Sequence, residues 1–365
     1  MTSGDGFGRF FLPGPTEVRP EILRAQIGPM IGHRTRETER IIERVQRGLR
    51  PLFGTARPVS VAPSSATGLM EAAIRNGVRR RVLCLVNGAF SERFARIARA
   101  CGLEAEELSV EWGDAHRPEL VADALRGADF DALTVVHCET STGVLNPVAE
   151  IARVAHDAGD VAVLVDGVTS VAGMEIEADA WRLDFILTGS QKALALPPGL
   201  ALGVAQESLL DRAREIDSRG LYFDLLEFEK NLERNQTPTT PAVSLLYALS
   251  AQLDDVEREG VAGRAARHRA MAELLYRWVE DVGNRGLALE VVAPEGYRSP
   301  TVTCLRPPPG WTGPDVQRAL AERGFTVAPG YGRLKDEMFR IGHMGDHTLA
   351  ELGTLLDVLE EVLRR

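Results

Sequence analysis

The sequence predicts an α/β protein, with a mostly parallel central sheet flanked by helices and then a small C-terminal α+β unit. Three observations carry this reading. Short β-branched apolar runs alternate with helical stretches from Val59 to Gly203, and such runs bounded by Gly and Asp read as buried parallel strands. Two of those runs end in charge: VAVLV leads to Asp166 and DFILTGSQ leads to Lys192. Beyond a long helical region the pattern changes to strand-like ALEVVA, SPTVTCL and FTVAPG mixed with helices.

The chain opens on MTSGDGFGRF, which is Gly-rich and expected to be mobile. In FLPGPTEVRPEIL, Pro13, Gly14 and Pro15 force an extended, tightly turned segment, and Pro20 can open a helix at its first position. IGHRTRETERIIERVQRGLRPLF sets His33, Arg34 and Arg36 ahead of an amphipathic helix; the ordinary reading of these charges is a solvated face. VSVA then runs into SSATG and a helix of good formers. Ser65, Ala66 and Thr67 at that helix start are either an N-cap or an anion site, where free N–H groups and the positive end of the dipole meet a ligand. No GK[ST] follows, so a P-loop is excluded.

RRVLCLV reads as a strand that ends at NGAF, with Phe90 either core or the wall of a site. DALTVVHCETSTG brings a hydroxyl-rich strand end with Thr140, and His137 within it reads as core or a supporting layer. Pro147 starts the next helix, which feeds the Asp166 strand. Strand–helix alternation of this kind builds a parallel sheet with right-handed crossovers. A helix over about 206–217 and a surface segment ending in TPTTP follow; Thr239 lies there, in what reads as a turn and N-cap. A helical region over about 242–282 leads to the C-terminal unit, where Arg340 ends a strand at the rim. The expected division is an arm at 1–15, a large domain at 16–258 and a small domain at 259–365.

The chain has 365 residues, enough for two domains and a large core. Its net charge of −10 argues against nucleic-acid and anionic-membrane partners, which need a basic face. No apolar run approaches the roughly 20 residues of a membrane helix, and the N-terminus has no signal pattern. Cys84, Cys101, Cys138 and Cys304 follow no metal-ligand spacing, so a reducing cytoplasm is the expected setting. His343 and His347 lie four apart, but Gly345 between them and the lack of a third ligand argue against zinc.

Open α/β sheets bind ligands at the carboxyl ends of their strands, where Asp166 and Lys192 are expected. One acid and one lysine suit pyridoxal phosphate: its aldehyde condenses with a lysine amine, and its pyridine nitrogen needs an acid to stay protonated. A carboxylate about 4 Å from that nitrogen is worth roughly 4 kcal/mol at an effective dielectric near 20, or about three pKa units. Either residue alone has an ordinary reading, a surface lysine or a helix cap. Their company shifts the balance: Ser190 and Gln191 precede the lysine, a Pro-Gly turn follows it, and SSATG lies upstream.

DGVTSVAG followed by LTGSQKALALPPG resembles the class V family of pyridoxal-phosphate-dependent, fold-type I enzymes, in particular its alanine–glyoxylate and serine–glyoxylate aminotransferase branch. The similarity extends from FLPGPTEV to FRIGHMG. The resemblance implies that Lys192 carries the cofactor and that Asp166 and Gln191 contact it. Ser65, Ala66 and Thr67 would cradle its phosphate, Phe90 would stack on its ring, and Thr140 would bond its phenolic oxygen. Thr239 would reach the phosphate of the other subunit, although Gln236 stands where relatives often have tyrosine. Arg340 and backbone near Gly14 would hold the substrate carboxylate, and His33 and Arg34 would reach a neighbouring subunit's site. The implied activity is transamination of alanine or serine with glyoxylate or pyruvate, in a homodimer. No second cation for an acidic side chain is visible in the sequence. Three alternatives share the fold: phosphoserine aminotransferase, which His33 and Arg34 would suit; a cysteine desulfurase, which needs a loop cysteine; and a non-catalytic relative.

Overall fold

The computed structural model describes residues 7–365; the expected mobility of residues 1–6 lies outside that range. In chain order the first strands are β1 (Val59–Ala62), β2 (Arg81–Val86), β3 (Glu104–Ser109) and β4 (Ala132–Val136), then a short pair, β5 (Cys138–Glu139) and β6 (Val144–Leu145). β7 (Ala162–Asp166), β8 (Phe185–Gly189) and β9 (Ala201–Ala205) follow. Seven of these form one sheet in the order β1-β9-β8-β7-β4-β2-β3, in which β9 alone runs against the rest.

Helices cover both faces of the sheet, which is why its central strands are apolar without interruption. Every residue of β4, β7, β8 and β9 is buried. Strand alternation deals these residues to two cores: Val163 and Val165 join one, Ala162 and Leu164 the other. The first core also takes α1 (Pro20–Ala25), α2 (Arg36–Phe53), α5 (Pro118–Leu125), α6 (Val148–Ala158) and α9 (Val243–Glu259). The second takes α3 (Ala66–Gly77), α4 (Ala89–Ala100), α7 (Glu207–Glu215) and α8 (Leu225–Leu232). On α2, Ile42, Val45, Leu49, Leu52 and Phe53 recur at helical spacing and are buried. Edge strand β1 is blunted by Gln46, whose amide exchanges two 2.8 Å hydrogen bonds with the Val59 backbone.

The long helical region is two helices, α9 and α10 (Val261–Asn284), broken at Gly260, whose φ of +78° no helix accommodates. The expected division after residue 258 falls in the last turn of α9. Beyond α10 lie β10 (Glu290–Val291), β11 (Val302–Arg306), α11 (Gly313–Ala321), β12 (Ala328–Pro329), β13 (Phe339–Gly342) and α12 (Leu349–Leu363). The strands form an antiparallel sheet in the order β10-β11-β13-β12.

Residues 7–10 differ from the expected mobile tail. The Gly8 N–H donates to Glu17 at 2.8 Å, Phe7 stacks on His347 with ring centroids 5.5 Å apart, and Phe10 bridges to Thr326. Phe11 is fully buried in the C-terminal core, so the arm is held there by apolar burial and backbone pairing.

Candidate active site

Parallel register gathers the polar residues at one end of the sheet. Asp166 is the last residue of β7 and pairs with Val136 on β4 and Leu187 on β8. The segments leaving those strands carry Thr140 and Lys192. β2 leads into α4 with Phe90, and β1 leads into α3 with Ala66 and Thr67. These residues, with Ser65 and Gln191, line one cavity of about 200 Å³.

Lys192 is only 8% exposed. Burial, reinforced by the Arg340 charge, pulls its amine down to about 8. Its Nζ donates to the Pro13 carbonyl and lies 5.8 Å from the Phe90 ring centroid. The N-terminal arm clamps the lysine loop: Thr16 N–H donates to the Gln191 carbonyl and Thr16 Oγ1 to the Lys192 carbonyl, both at 3.0 Å. Gly14 has a φ of +127°, which favours glycine, and a Cβ there would displace the end of the Lys192 side chain, so the arm crosses the lysine at a residue without one. Ser190 shapes the same loop by donating to the Pro197 carbonyl at 2.7 Å and accepting the Leu200 N–H at 3.2 Å.

Asp166 is 4% exposed. Burial pushes its carboxyl up to about 6, against the 2.8 Å bond it accepts from the Val168 N–H. No cation pairs with it among the described residues, so the carboxylate is available to a positively charged ring nitrogen. Thr140 Oγ1 shares a 2.6 Å hydrogen bond with Thr169 Oγ1.

Geometry bears on the alternative reading of SSATG as an N-cap. Ser65 stands at the N-cap position of α3 but makes no side-chain capping bond. Gly68 N–H donates to the Ser65 carbonyl at 2.9 Å, which leaves the Ala66 and Thr67 N–H groups at the helix start facing the cavity end, the arrangement that suits a phosphate. Gln191 Oε1 is buried without a partner at the same cavity. An anion cradle, an unpaired acid and a lysine amine fit pyridoxal phosphate.

Arg340 on β13 is 7% exposed and reaches this end of the sheet from the C-terminal antiparallel sheet. Its Nε donates to the Pro329 carbonyl at 3.0 Å and its Nη1 to the Thr140 carbonyl at 3.1 Å. Guanidinium has five N–H donors, so these anchors leave donors for a carboxylate. Phe90 is half-buried and stacks on Tyr331, with centroids 5.4 Å apart and planes 14° apart. It is a wall of the site rather than core.

Other candidates lie elsewhere. Arg34 is exposed and donates to the Thr237 carbonyl at 2.7 Å and the Pro238 carbonyl at 3.3 Å. His33 and Thr239 are outside the cavity lining, and Thr239 is exposed. His343 Nε2 faces Thr303 Oγ1 at 2.8 Å, and His347 stacks on Phe11 at 4.3 Å, so both histidines serve packing. His137 packs edge-on against Trp181, 5.8 Å between centroids.

Two residues missed in the sequence stand out. Glu139 is fully buried beneath α4, where its carboxylate accepts the Ser91 N–H at 3.0 Å and the Ser141 hydroxyl at 2.6 Å. Arg93 lines the cavity, one helical turn beyond Phe90 on α4. That spacing, i to i+3, puts both side chains on one face and was the available signal.

The sequence matches the family model described as aminotransferase class-V over residues 24–332. The chain therefore belongs to the class V aminotransferases, which depend on pyridoxal phosphate. It is 41% identical over 340 residues to an uncharacterized aminotransferase of Methanocaldococcus jannaschii, covering 92% of this chain and 87% of that protein. It is 32% identical over 346 residues to the L-aspartate–glyoxylate aminotransferase of Paracoccus denitrificans, covering 93% and 86%. The structure of alanine–glyoxylate aminotransferase from Nostoc sp. superposes with a TM-score of 0.91 at 29% identity, covering 100% of this chain and 97% of that one. The fold is thus fold type I. Among the described residues, no helix is long and apolar enough to cross a membrane.

Proposed function

We propose that the protein transfers the amino group of a small 2-amino acid of the alanine, serine or aspartate type to a small 2-oxo acid, glyoxylate or pyruvate. The observation that carries this reading is the pairing of buried Lys192 and buried Asp166 on one cavity, with Arg340 bonded to the carbonyl of Thr140, a residue of its lining. Bound pyridoxal phosphate supplies the electron sink for charge developing at the substrate Cα. Lys192 Nζ would hold the cofactor and, once displaced by the substrate amine, would take the proton from the substrate Cα and deliver it to the cofactor's C4′ carbon. An amine near 8 suits that work, because it exchanges protons close to neutral pH. Asp166 keeps a proton on the cofactor's pyridine nitrogen. Phe90 would pack on the ring, Thr140 would bond its phenolic oxygen, Gln191 would contact the cofactor beside the lysine, and Ser65, Ala66 and Thr67 would hold the phosphate. Arg340, with backbone near Gly14, fixes the α-carboxylate.

We also propose a homodimer with shared sites. Ile27 and Met30 are 81% and 78% exposed, an apolar surface beside the His33-Arg34 turn that a second copy would cover. Arg34 ties that turn to the segment bearing Thr239, so both would be presented to the partner together.

The desulfurase alternative finds little support. Cys304 is buried in β11, and Cys138, which lines the cavity, lies 2.8 Å from Ser299 Oγ with its thiol pushed by burial up to about 11. Such a thiol stays protonated and weakly nucleophilic at neutral pH. The test of the main reading is to mix the cofactor-loaded protein with single amino acids and follow the visible spectrum. Donors should convert the pyridoxal form to the pyridoxamine form, and added glyoxylate should reverse the change. A spectrum that no amino acid alters would overturn the reading.

A further inference from the structure

We infer that Arg93 is a second anion-binding residue of the site and selects amino donors whose side chain carries an anion, with aspartate the expected best donor. This rests on the transamination reading above and narrows its substrate class.

Four observations support it. Arg93 is half-buried and lines the same cavity as Lys192 and Asp166. Its guanidinium forms no ion pair with any described residue; it packs 4.9 Å from the Phe90 ring centroid and lies 3.5 Å from Thr67 Oγ1. An arginine held at a cavity by an aromatic face and a hydroxyl, without a carboxylate, has its fork free for a ligand. Its charge is nevertheless felt within the site, lowering the affinity for protons of both Asp166 and Lys192.

The fourth observation gives direction. Tyr331 stands between the two cations: Arg340 packs over its ring, 5.4 Å from the centroid, and Arg93 Nη2 lies 3.4 Å from its hydroxyl. Tyr331 follows Pro329 and Gly330, and the Pro329 carbonyl anchors Arg340. Tyr331 thus links the two guanidinium groups, Arg93 at its hydroxyl and Arg340 over its ring. A ligand with one anion at each end suits that arrangement. If Arg340 holds the α-carboxylate, Arg93 is left for a side-chain carboxylate, or for a side-chain phosphate of similar reach. Alanine and serine would leave it unmatched. Arg34, the cation that the phosphoserine alternative calls on, is committed to backbone carbonyls outside the cavity.

The experiment compares wild type, Arg93→Gln and Arg93→Lys as cofactor-loaded dimers. It measures kcat/KM for aspartate, phosphoserine and alanine with glyoxylate as acceptor. Two readouts are independent of turnover: the affinity of each apoprotein for pyridoxal phosphate, and the binding of succinate and of propionate by calorimetry. Wild type should prefer aspartate to alanine. In Arg93→Gln the aspartate-to-alanine ratio should fall about ten- to a hundredfold, chiefly through KM, as expected for a lost charge-assisted contact. Succinate binding should weaken by a similar factor relative to propionate. Arg93→Lys should recover part of both, because the charge returns without the fork. A wild type that favours phosphoserine over aspartate, with the same loss in Arg93→Gln, supports the anion site and assigns a phosphate to it. An aspartate-to-alanine ratio that does not move overturns the inference. So does a fall in cofactor affinity with all three donors declining together, which would make Arg93 a ligand of the cofactor phosphate. Failure of the transamination reading is distinct: no donor would then transfer its amino group in wild type.

Discussion

Asp166 and Lys192 share one buried cavity and are displaced in opposite directions, the aspartate up to about 6 and the lysine down to about 8. Burial is the first cause for both, because it disfavours either charge. Pairs of titratable groups pushed in this way are a mark of acid–base sites.

The charge of Asp166 is expected to matter more than its shape. Asp166→Asn keeps a hydrogen-bonding side chain and removes roughly 4 kcal/mol of support for the protonated pyridine nitrogen, up to about a thousandfold in rate. Single-turnover kinetics with saturating donor should show a loss of at least tenfold. A variant within threefold of wild type would rule out this role.

Cofactor loading should follow the Lys192 proton. The neutral amine is the reactive form, so at pH 7 roughly one molecule in ten is competent, and the fraction rises about ninefold from pH 6 to 7 and about fivefold from pH 7 to 8 before levelling. Stopped-flow uptake of pyridoxal phosphate by apoprotein measures this directly. The same shift has a stability sign. The folded chain releases this proton near 8 and the unfolded chain near 10.5, so the unfolded state binds more protons between those values. Apoprotein stability from this group should therefore rise with pH across that window.

Gly14 should tolerate no side chain. Gly14→Ala must displace either the arm or Lys192, and it also strains a φ of +127°. The expected cost is about 1–3 kcal/mol in urea unfolding of the apoprotein, with slower cofactor loading. Unchanged stability and loading would show that the arm does not constrain the lysine.

The shared site can be tested at its apolar edge. Ile27→Asp with Met30→Asp places two charges on the exposed surface beside the His33-Arg34 turn. Analytical ultracentrifugation should report monomers that bind cofactor weakly and turn over slowly. A fully active monomer would refute the sharing of sites.

The sheet was legible because its signal is local: VAVLV and DFILTG are apolar without interruption, and both became strands buried on each face. Asp166, Lys192 and Arg340 were legible because charges at the ends of such runs are conspicuous. What the sequence hid depends on contacts made across the fold. Arg93 sits in a helix with Arg96 and Arg99; its spacing from Phe90 sets it apart only once Phe90 is known to line the cavity. Glu139 reads as one polar residue among the hydroxyls of ETSTG, and its burial follows from the close approach of Gly88, where a side chain would strike its carboxylate. The order of residues 7–10 was hidden for the same reason, since Thr326 and His347 hold them from the far end of the chain.

The central claim is that Lys192 is the residue that binds the cofactor covalently. Borohydride reduction of the loaded protein, followed by proteolysis and peptide mass spectrometry, tests it most directly. The expected result is a single modified peptide carrying the reduced cofactor on Lys192, with Lys192→Ala giving none. Label on Lys230 or Lys335, or on no lysine at all, would contradict the account.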